Sequence, residues 1–198
     1  MEEPKTLLQM AGAPLEPARW PEAALVVIDA QGEYREGKLP LEGIGPALDN
    51  LDDLMSRARQ AGAPVIHIAH QGRPGGLFDP DGPGGQIMPE AAPLDGEPVV
   101  KKGLPNAFAG TDLQDRLKAI GRPQLVLAGF MTHMCVSATA RAGLDLGYRV
   151  TVVGDATATR ALPDPLGGAP VPAETVHRAA LAALADRFAI VAAAADIG

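Results

Sequence analysis

The sequence has little basic charge and a single cysteine. Its 17 Lys and Arg residues are outnumbered by 24 Asp and Glu residues, which gives a formal net charge of -7. No basic field is therefore available to hold the phosphates of a nucleic acid or an anionic membrane surface. The lone Cys135 cannot form an internal disulfide, which fits a reducing compartment. We predict no nucleic-acid partner, and a free thiol whose ordinary role would be that of a small buried apolar group.

Long apolar runs are absent as well. No segment approaches the roughly 18 apolar residues of a transmembrane helix. The amino terminus carries Glu2 and Glu3, whereas a secretory signal would be basic there. We therefore predict a cytoplasmic protein with no membrane partner. The 198 residues are 46% hydrophobic and 21% charged, which is typical of a globular chain, and we expect one domain spanning residues 1–198.

Short β-branched apolar runs alternate along the chain with segments of helical spacing. Strands are predicted at residues 23–28, 64–69, 97–101, 124–128, 148–153 and 188–191. Helices are predicted at residues 44–62, 111–120, 135–146 and 173–186, the second of them with a capping box formed by Thr111 and Gln114. Such alternation indicates right-handed crossovers, a mostly parallel sheet and helices on both faces. The fold class is therefore a doubly wound α/β domain.

Three reactive side chains fall near the carboxyl ends of predicted strands, where open parallel sheets bind ligands. Asp29 follows the first strand, Lys102 follows the third, and Cys135 lies at a strand-to-helix turn. Each has an ordinary reading alone, as a turn residue, a surface charge or a buried thiol. Helix N–H groups and the macrodipole would lower the pKa of Cys135. Together the carboxylate could take the thiol proton while the ammonium stabilises negative charge.

Three segments carry a family resemblance: Ala24-Leu25-Val26-Val27-Ile28-Asp29-Ala30-Gln31, Val100-Lys101-Lys102 with Phe108 six residues later, and Gly129-Phe130-Met131-Thr132-His133-Met134-Cys135-Val136. In this order and spacing they resemble the signature segments of the isochorismatase-like cysteine hydrolases. The resemblance implies a three-layer α-β-α, Rossmann-like fold with a six-stranded sheet. It also implies a Cys135-Asp29-Lys102 triad, in which the position of Phe108 selects Lys102 over Lys101.

The same resemblance implies details of the turn and of the assembly. A cis peptide would join Phe130 to Met131, and the backbone N–H groups of Met131 and Cys135 would form an oxyanion hole. Members of this family often complete the pocket with residues of a neighbouring subunit, and the Pro-rich loops at residues 71–98 and 158–172 fit such contacts. We therefore expect a homo-oligomer, a dimer or larger.

One departure from the family pattern concerns metal binding. Nicotinamidases of this family carry an Asp-x-His metal motif, whereas the corresponding loop here reads His67-Ile68-Ala69-His70-Gln71. We therefore predict no metal and no cofactor, and interpret His67 as a core residue. Asp155, at the end of the fifth predicted strand, is interpreted as structural. Candidate substrate-binding residues are Gln31, Tyr34, His70, Phe78, Phe108, Met131 and His133, with core packing as the alternative for Phe108.

These features predict a hydrolase that cleaves the C–N bond of a small amide, lactam or ureide through a thioester on Cys135. One alternative is the acid-catalysed hydrolysis of a vinyl ether, as in isochorismate, with Asp29 as proton donor and Cys135 a bystander. A second alternative is a catalytically silent protein that binds a metabolite or serves as a scaffold.

Overall fold

The computed structural model describes residues 3–198, which form one six-stranded sheet with helices on both faces. The strands are β1 Ala23–Ile28, β2 Val65–His70, β3 Val99–Lys102, β4 Gln124–Phe130, β5 Arg149–Ala158 and β6 Ile190–Ala192. All neighbouring strands are parallel, in the order β3-β2-β1-β4-β5-β6. The predicted α/β fold class is confirmed.

The helices cover the two faces of the sheet unequally. They are α1 Leu7–Met10, α2 Ile44–Gln60, α3 Leu113–Ile120, α4 Ser137–Asp145 and α5 Ala173–Arg187. Apolar residues of α2 pack on one face, and those of α3, α4 and α5 on the other. Side chains of β1 alternate between these two cores, with Leu25 in the first and Val26 in the second. The continuous apolar run of β1 is therefore what a strand covered on both faces requires.

Two helix starts differ from the prediction. The capping box of Thr111 and Gln114 does not form, because α3 begins only at Leu113 and its N-cap residue is Asp112. The Thr111 hydroxyl instead accepts a hydrogen bond from the Leu113 N–H at 3.3 Å and donates one to the Ala107 carbonyl at 2.6 Å. The helix predicted at 135–146 begins two residues later, at Ser137, after a π-helical turn that spans Thr132–Val136. Both differences occur where a local side-chain hydrogen bond or a tight turn replaces the regular helical pattern.

Gly129, near the end of β4, allows two strands to approach closely at the carboxyl end of the sheet. From β1 the chain builds outward to β3 and then returns to place β4 on the other side of β1, so the strand order reverses between β1 and β4. Gly129 has φ +108°, and a Cβ there would lie 2.1 Å from the Ile28 carbonyl oxygen. Only glycine therefore fits where β1 and β4 approach each other, at the switch point where such sheets bind ligands.

Buried polar contacts hold the loops over this end of the sheet. The Glu33 carboxylate accepts hydrogen bonds from the backbone N–H groups of Lys38 at 2.6 Å and Phe78 at 3.1 Å, which ties down the loop of residues 71–98. Asp155 accepts a hydrogen bond from the Ala194 N–H at 2.8 Å, so its structural interpretation is confirmed. Within residues 3–198 we find no helix with the length and apolarity that crossing a bilayer requires.

Candidate active site

The structure brings together the side chains of Asp29, Lys102 and Cys135. Lys102 Nζ lies 2.7 Å from Asp29 Oδ2 and 3.3 Å from Cys135 Sγ. All three residues are buried, and the side chains of Asp29 and Lys102 have no exposed surface. Such a cluster excludes bulk water from its charges and strengthens every electrostatic contact within it.

Each of these side chains reaches the cluster for a local reason. Asp29 is the first residue after β1, in a left-handed backbone conformation with φ +49°, which aspartate tolerates better than most residues. Lys102 ends β3, two strands and about 10 Å from β1, so it needs its long stem to reach Asp29. The side chains of β3 alternate, with Lys101 exposed and Lys102 buried. Alternation therefore places Lys102, and not Lys101, in the site.

Burial controls the charges of the carboxyl and the thiol. It raises the pKa of Asp29 to about 6, against the opposing attraction of the Lys102 ammonium. Burial, and next the charge of Asp29, raise the pKa of Cys135 to about 12. The prediction of a lowered cysteine pKa is therefore wrong, because the free-energy cost of desolvating a thiolate exceeds the stabilisation that the turn and Lys102 provide. At neutral pH the site holds a neutral thiol beside an ionised carboxylate.

The turn that carries the thiol begins directly after β4. The peptide bond between Phe130 and Met131 is cis, in agreement with the expectation. The Met131 carbonyl accepts hydrogen bonds from the N–H groups of Met134 at 3.0 Å and Val136 at 3.2 Å. These bonds fix the π-helical turn that contains Cys135, so this thiol lies in a tight turn before α4 and not at the start of a regular helix.

One predicted substrate-binding side chain, His70, contacts Lys102 directly, and three others, Tyr34, Phe78 and Met131, belong to one buried apolar cluster. The His70 Nδ1 lies 3.2 Å from Lys102 Nζ, and its ring packs on Phe78 with centroids 4.9 Å apart. Tyr34 packs edge-on against Phe78 at 5.2 Å. Burial, followed by the charge of Lys102, lowers the pKa of His70 to about 4, so the neutral ring accepts a hydrogen bond from the ammonium. Met131 is buried at the head of the turn.

Two other candidates serve the fold. Gln31 donates hydrogen bonds to the carbonyls of His70 at 3.0 Å and Gly85 at 2.8 Å, and accepts one from the His70 N–H at 2.8 Å. Its amide is therefore occupied within the protein. Phe108 stacks on Tyr148 with centroids 6.2 Å apart, on the face covered by α3, α4 and α5. The packing alternative describes Phe108 better than a place in the aromatic group with Tyr34.

The seventh candidate, His133, leads to a residue that the sequence analysis missed. Its Nδ1 lies 2.6 Å from the hydroxyl oxygen of Thr159, and Arg160 follows directly. Burial and the charge of Arg160 lower the pKa of His133. The only sequence signal for Arg160 was its position near the start of the Pro-rich loop predicted at residues 158–172. His67 is a core residue as interpreted, with its Nε2 2.9 Å from the Glu97 carboxylate.

Three predictions are not tested by the structure: they concern metal binding, oligomeric state and cellular location. Across residues 3–198, no group of three or more His, Cys, Asp or Glu side chains is arranged to hold a metal ion. The absence of a metal from the reaction, the homo-oligomer and the cytoplasmic location all stay predictions.

Comparison with known proteins identifies the family. The sequence model that represents the isochorismatase domain family matches residues 23–196 of this chain. A secreted isochorismatase effector of Verticillium dahliae is 39% identical, over 95% of this chain and 96% of its own. A ureidoacrylate amidohydrolase of Pseudomonas syringae pv. syringae is 30% identical, over 69% of this chain and 70% of its own.

A solved structure agrees with these sequence matches. An isochorismatase from Pseudomonas putida KT2440 has a crystal structure that superposes with a TM-score of 0.94 and 43% identity, covering 99% of this chain and all of that one. The predicted fold and the predicted resemblance are both confirmed. The chain therefore belongs to the isochorismatase family of hydrolases.

Proposed function

We propose that this protein is a metal-independent cysteine hydrolase that cleaves the C–N bond of a small amide, lactam or ureide. The observation that carries the proposal is the position of the Lys102 ammonium, 2.7 Å from Asp29 Oδ2 and 3.3 Å from Cys135 Sγ. A nucleophile, a base and a fixed positive charge in contact are the parts that covalent acyl transfer needs. The similarity to a protein named as an amidohydrolase supports C–N chemistry.

In the first half-reaction Asp29 acts as general base. Its pKa of about 6 leaves it ionised at neutral pH, while the thiol of Cys135 is protonated. Asp29 takes the thiol proton as Sγ forms a bond to the carbonyl carbon. The backbone N–H groups of Met131 and Cys135 stabilise the resulting oxyanion, and Lys102 stays protonated beside the sulfur. When the C–N bond breaks, the leaving nitrogen takes the proton from Asp29, and a thioester remains.

In the second half-reaction water replaces the departed amine. Asp29 takes a proton from this water as its oxygen attacks the thioester carbonyl. The same N–H groups receive the second oxyanion. The C–S bond then breaks, and Asp29 returns the proton to Cys135 Sγ. The products are an amine and an acid, and the site is restored to a neutral thiol and an ionised carboxylate.

The test is turnover by the purified protein on a panel of small amides, lactams and ureides. Cys135→Ala should abolish turnover of any substrate that the panel yields. Lys102→Met should also abolish it, whereas Lys101→Met should not, because the adjacent Lys101 is exposed on the other face of β3. Full activity in Cys135→Ala would refute the proposed mechanism.

A second candidate is the hydrolysis of a vinyl ether. The raised pKa of Asp29, about 6, also suits a proton donor to an enol carbon, and such a reaction needs no thiol. Under this candidate Cys135→Ala would keep activity on isochorismate, whereas Asp29→Asn would lose it. The same pair of variants therefore separates the two chemistries.

A further inference from the structure

The turn that carries Cys135 is held from outside by a contact with α5. Thr132 is the first residue of this turn and is fully buried, with 0% exposure. Its hydroxyl oxygen lies 2.9 Å from Nδ1 of His177, a half-buried residue of α5. The two residues are 45 positions apart in the sequence, so the contact forms only when α5 packs against the turn. The turn therefore has a tertiary partner in addition to its own backbone hydrogen bonds.

The contact between Thr132 and His177 is a hydrogen bond between two uncharged groups. Burial lowers the pKa of His177, so its ring is neutral at neutral pH. Either tautomer of the neutral ring gives one hydrogen bond, since Nδ1 can accept from the hydroxyl or donate to it. Threonine is β-branched and its χ1 rotation is restricted, so a fixed hydroxyl also fixes the adjacent backbone. His177 therefore restrains the backbone at the first residue of the turn.

The start of this turn lies beside the groups that would react. Thr132 directly follows Met131, whose carbonyl accepts the two hydrogen bonds that close the turn. Met131 and Cys135 supply the backbone N–H groups that receive the oxyanion in the proposed mechanism. Lys102 and Asp29 are held by β3 and the end of β1 instead. A movement of the turn would therefore shift the thiol and both N–H groups relative to this ion pair, and a misplacement of about 1 Å can cost about 100-fold in rate.

His177 is separate from the triad. Its ring lines a cavity of about 370 Å³ between α2, β5 and α5, and the residues around this cavity include no member of the triad. Among residues 3–198, the side chains of the triad contact one another and His70, and not His177. The hydrogen bond to Thr132 is therefore the route by which His177 can affect the reaction.

From these contacts we propose that His177 is a positioning residue for the reaction at Cys135. Through Thr132 it keeps the turn in the conformation in which the N–H groups of Met131 and Cys135 can bind the developing oxyanion. The inference rests on the proposed hydrolase function and adds to it a residue outside the triad. A residue that merely stabilises the fold would slow every reaction of the thiol alike or none of them. A positioning residue of this kind affects the reactions that form an oxyanion.

The test compares two reactions of the same thiol, of which only one passes through an oxyanion. With 4-nitrophenyl acetate, Asp29 takes the thiol proton as Sγ bonds to the acetyl carbon, and the C–O bond then breaks to release 4-nitrophenolate. With iodoacetamide, Sγ displaces iodide from a saturated carbon, and no oxyanion forms. Cys135 is the chain's single cysteine, so Cys135→Ala supplies the blank for both reagents. The ratio of the acylation rate to the alkylation rate therefore isolates the stabilisation of the oxyanion.

We expect His177→Ala to lower this ratio about tenfold, which is less than the roughly 100-fold loss of an entire oxyanion donor. His177→Asn should keep most of the ratio, because its Oδ1 is as many bonds from Cα as Nδ1 of histidine; the longer His177→Gln should not. Thr132→Val keeps the shape of threonine without the hydroxyl and should match His177→Ala, and the double variant should lose no more than either single variant. Arg178→Ala, at the next position of α5 with 79% side-chain exposure, should leave the ratio unchanged.

An unchanged ratio in folded His177→Ala, an equal fall of both rates, or additive losses in the double variant would overturn the positioning role alone. If His177→Ala does not fold, Thr132→Ser and Thr132→Val decide the same question, because only serine retains the hydroxyl; equal ratios in these two variants would also overturn the role. On any amide that the panel yields, His177→Ala should lower kcat and leave KM nearly unchanged. A wild-type thiol that is not acylated would instead overturn the acyl transfer proposed for Cys135, and this inference with it.

Discussion

The buried ion pair of Lys102 and Asp29 leads to a quantitative prediction about stability. Their side chains are 2.7 Å apart and both have 0% exposure. Removing one partner of a buried pair leaves the other charge uncompensated, which costs about 3–5 kcal/mol. We therefore expect Lys102→Met to lower the free energy of unfolding by about this amount at pH 8.

The loss of unfolding free energy should depend on pH, and the pKa of Asp29 determines whether it grows or shrinks as the pH rises. In the folded protein this pKa is about 6, against an ordinary value of 3.8. A raised pKa means that the folded state binds the proton more tightly, so this contribution to stability is present below pH 3.8 and is lost as the pH rises through 6. Without Lys102 the pKa should rise further. Above pH 6 the free energy of unfolding of the variant then falls relative to that of the wild type by up to about 1.4 kcal/mol for each pH unit. The additional loss reaches about 3 kcal/mol by pH 8.

Guanidinium unfolding followed by the fluorescence of Trp20 would measure this loss, since Trp20 is the chain's single tryptophan and is buried. Lys101→Met is the matched control and should change stability by less than about 0.5 kcal/mol. Combining Lys102→Met with Asp29→Asn should restore most of the loss, because neither charge then remains. An equal loss for Lys102→Met at about pH 5.5 and about pH 8 would refute the reasoning.

Three further predictions concern the same end of the sheet. Gly129→Ala should cost more than about 3 kcal/mol in denaturant unfolding, since the new Cβ would meet the Ile28 carbonyl at 2.1 Å; Gly45→Ala in α2, where no atom lies within 4 Å, should be neutral or slightly stabilising. On any substrate cleaved by the thiol route, kcat/KM should fall about tenfold per pH unit below the Asp29 pKa of about 6, and a flat acid limb would contradict Asp29 as base. The imidazole of His70 should give the NMR nitrogen shifts of a neutral ring with hydrogen on Nε2 from about pH 5.5 to about pH 8, because its pKa is lowered to about 4; a titration in that range would show that the contact with Lys102 is misassigned.

Local sequence pattern accounts for most of the framework. The apolar run predicted at residues 23–28 is β1 Ala23–Ile28, and the helical spacing from residue 44 onward is α2 Ile44–Gln60. In both segments the residue types and their spacing show which side chains must be buried. This information is local, so it can be read from the sequence alone. The convergence of Asp29, Lys102 and Cys135 was predictable too, because parallel strands end at one edge.

Prediction was weaker where a polar side chain had several possible partners. Thr111 and Gln114 were expected to form a capping box, but α3 starts at Leu113, and the Thr111 hydroxyl joins the Leu113 N–H to the Ala107 carbonyl. Gln31 was expected to face the substrate, yet its amide is held by the backbone of His70 and Gly85. The partner of Thr111 is only four residues away but lies in an irregular loop, whereas the partners of Gln31 are distant in sequence. Periodicity distinguishes neither case from a free group.

The sequence by itself determined the α/β architecture, the family and the three residue types that meet at the switch point of the sheet. Only the tertiary structure decided their charges, since burial raises the pKa of Cys135 to about 12 where helix position had suggested the opposite. It also decided which buried polar atoms have no hydrogen-bond partner within residues 3–198, among them Arg160 Nε and His133 Nε2. The physical reason is the same in both cases: desolvation and electrostatic contact depend on everything packed around a group, and most of that packing comes from distant parts of the chain.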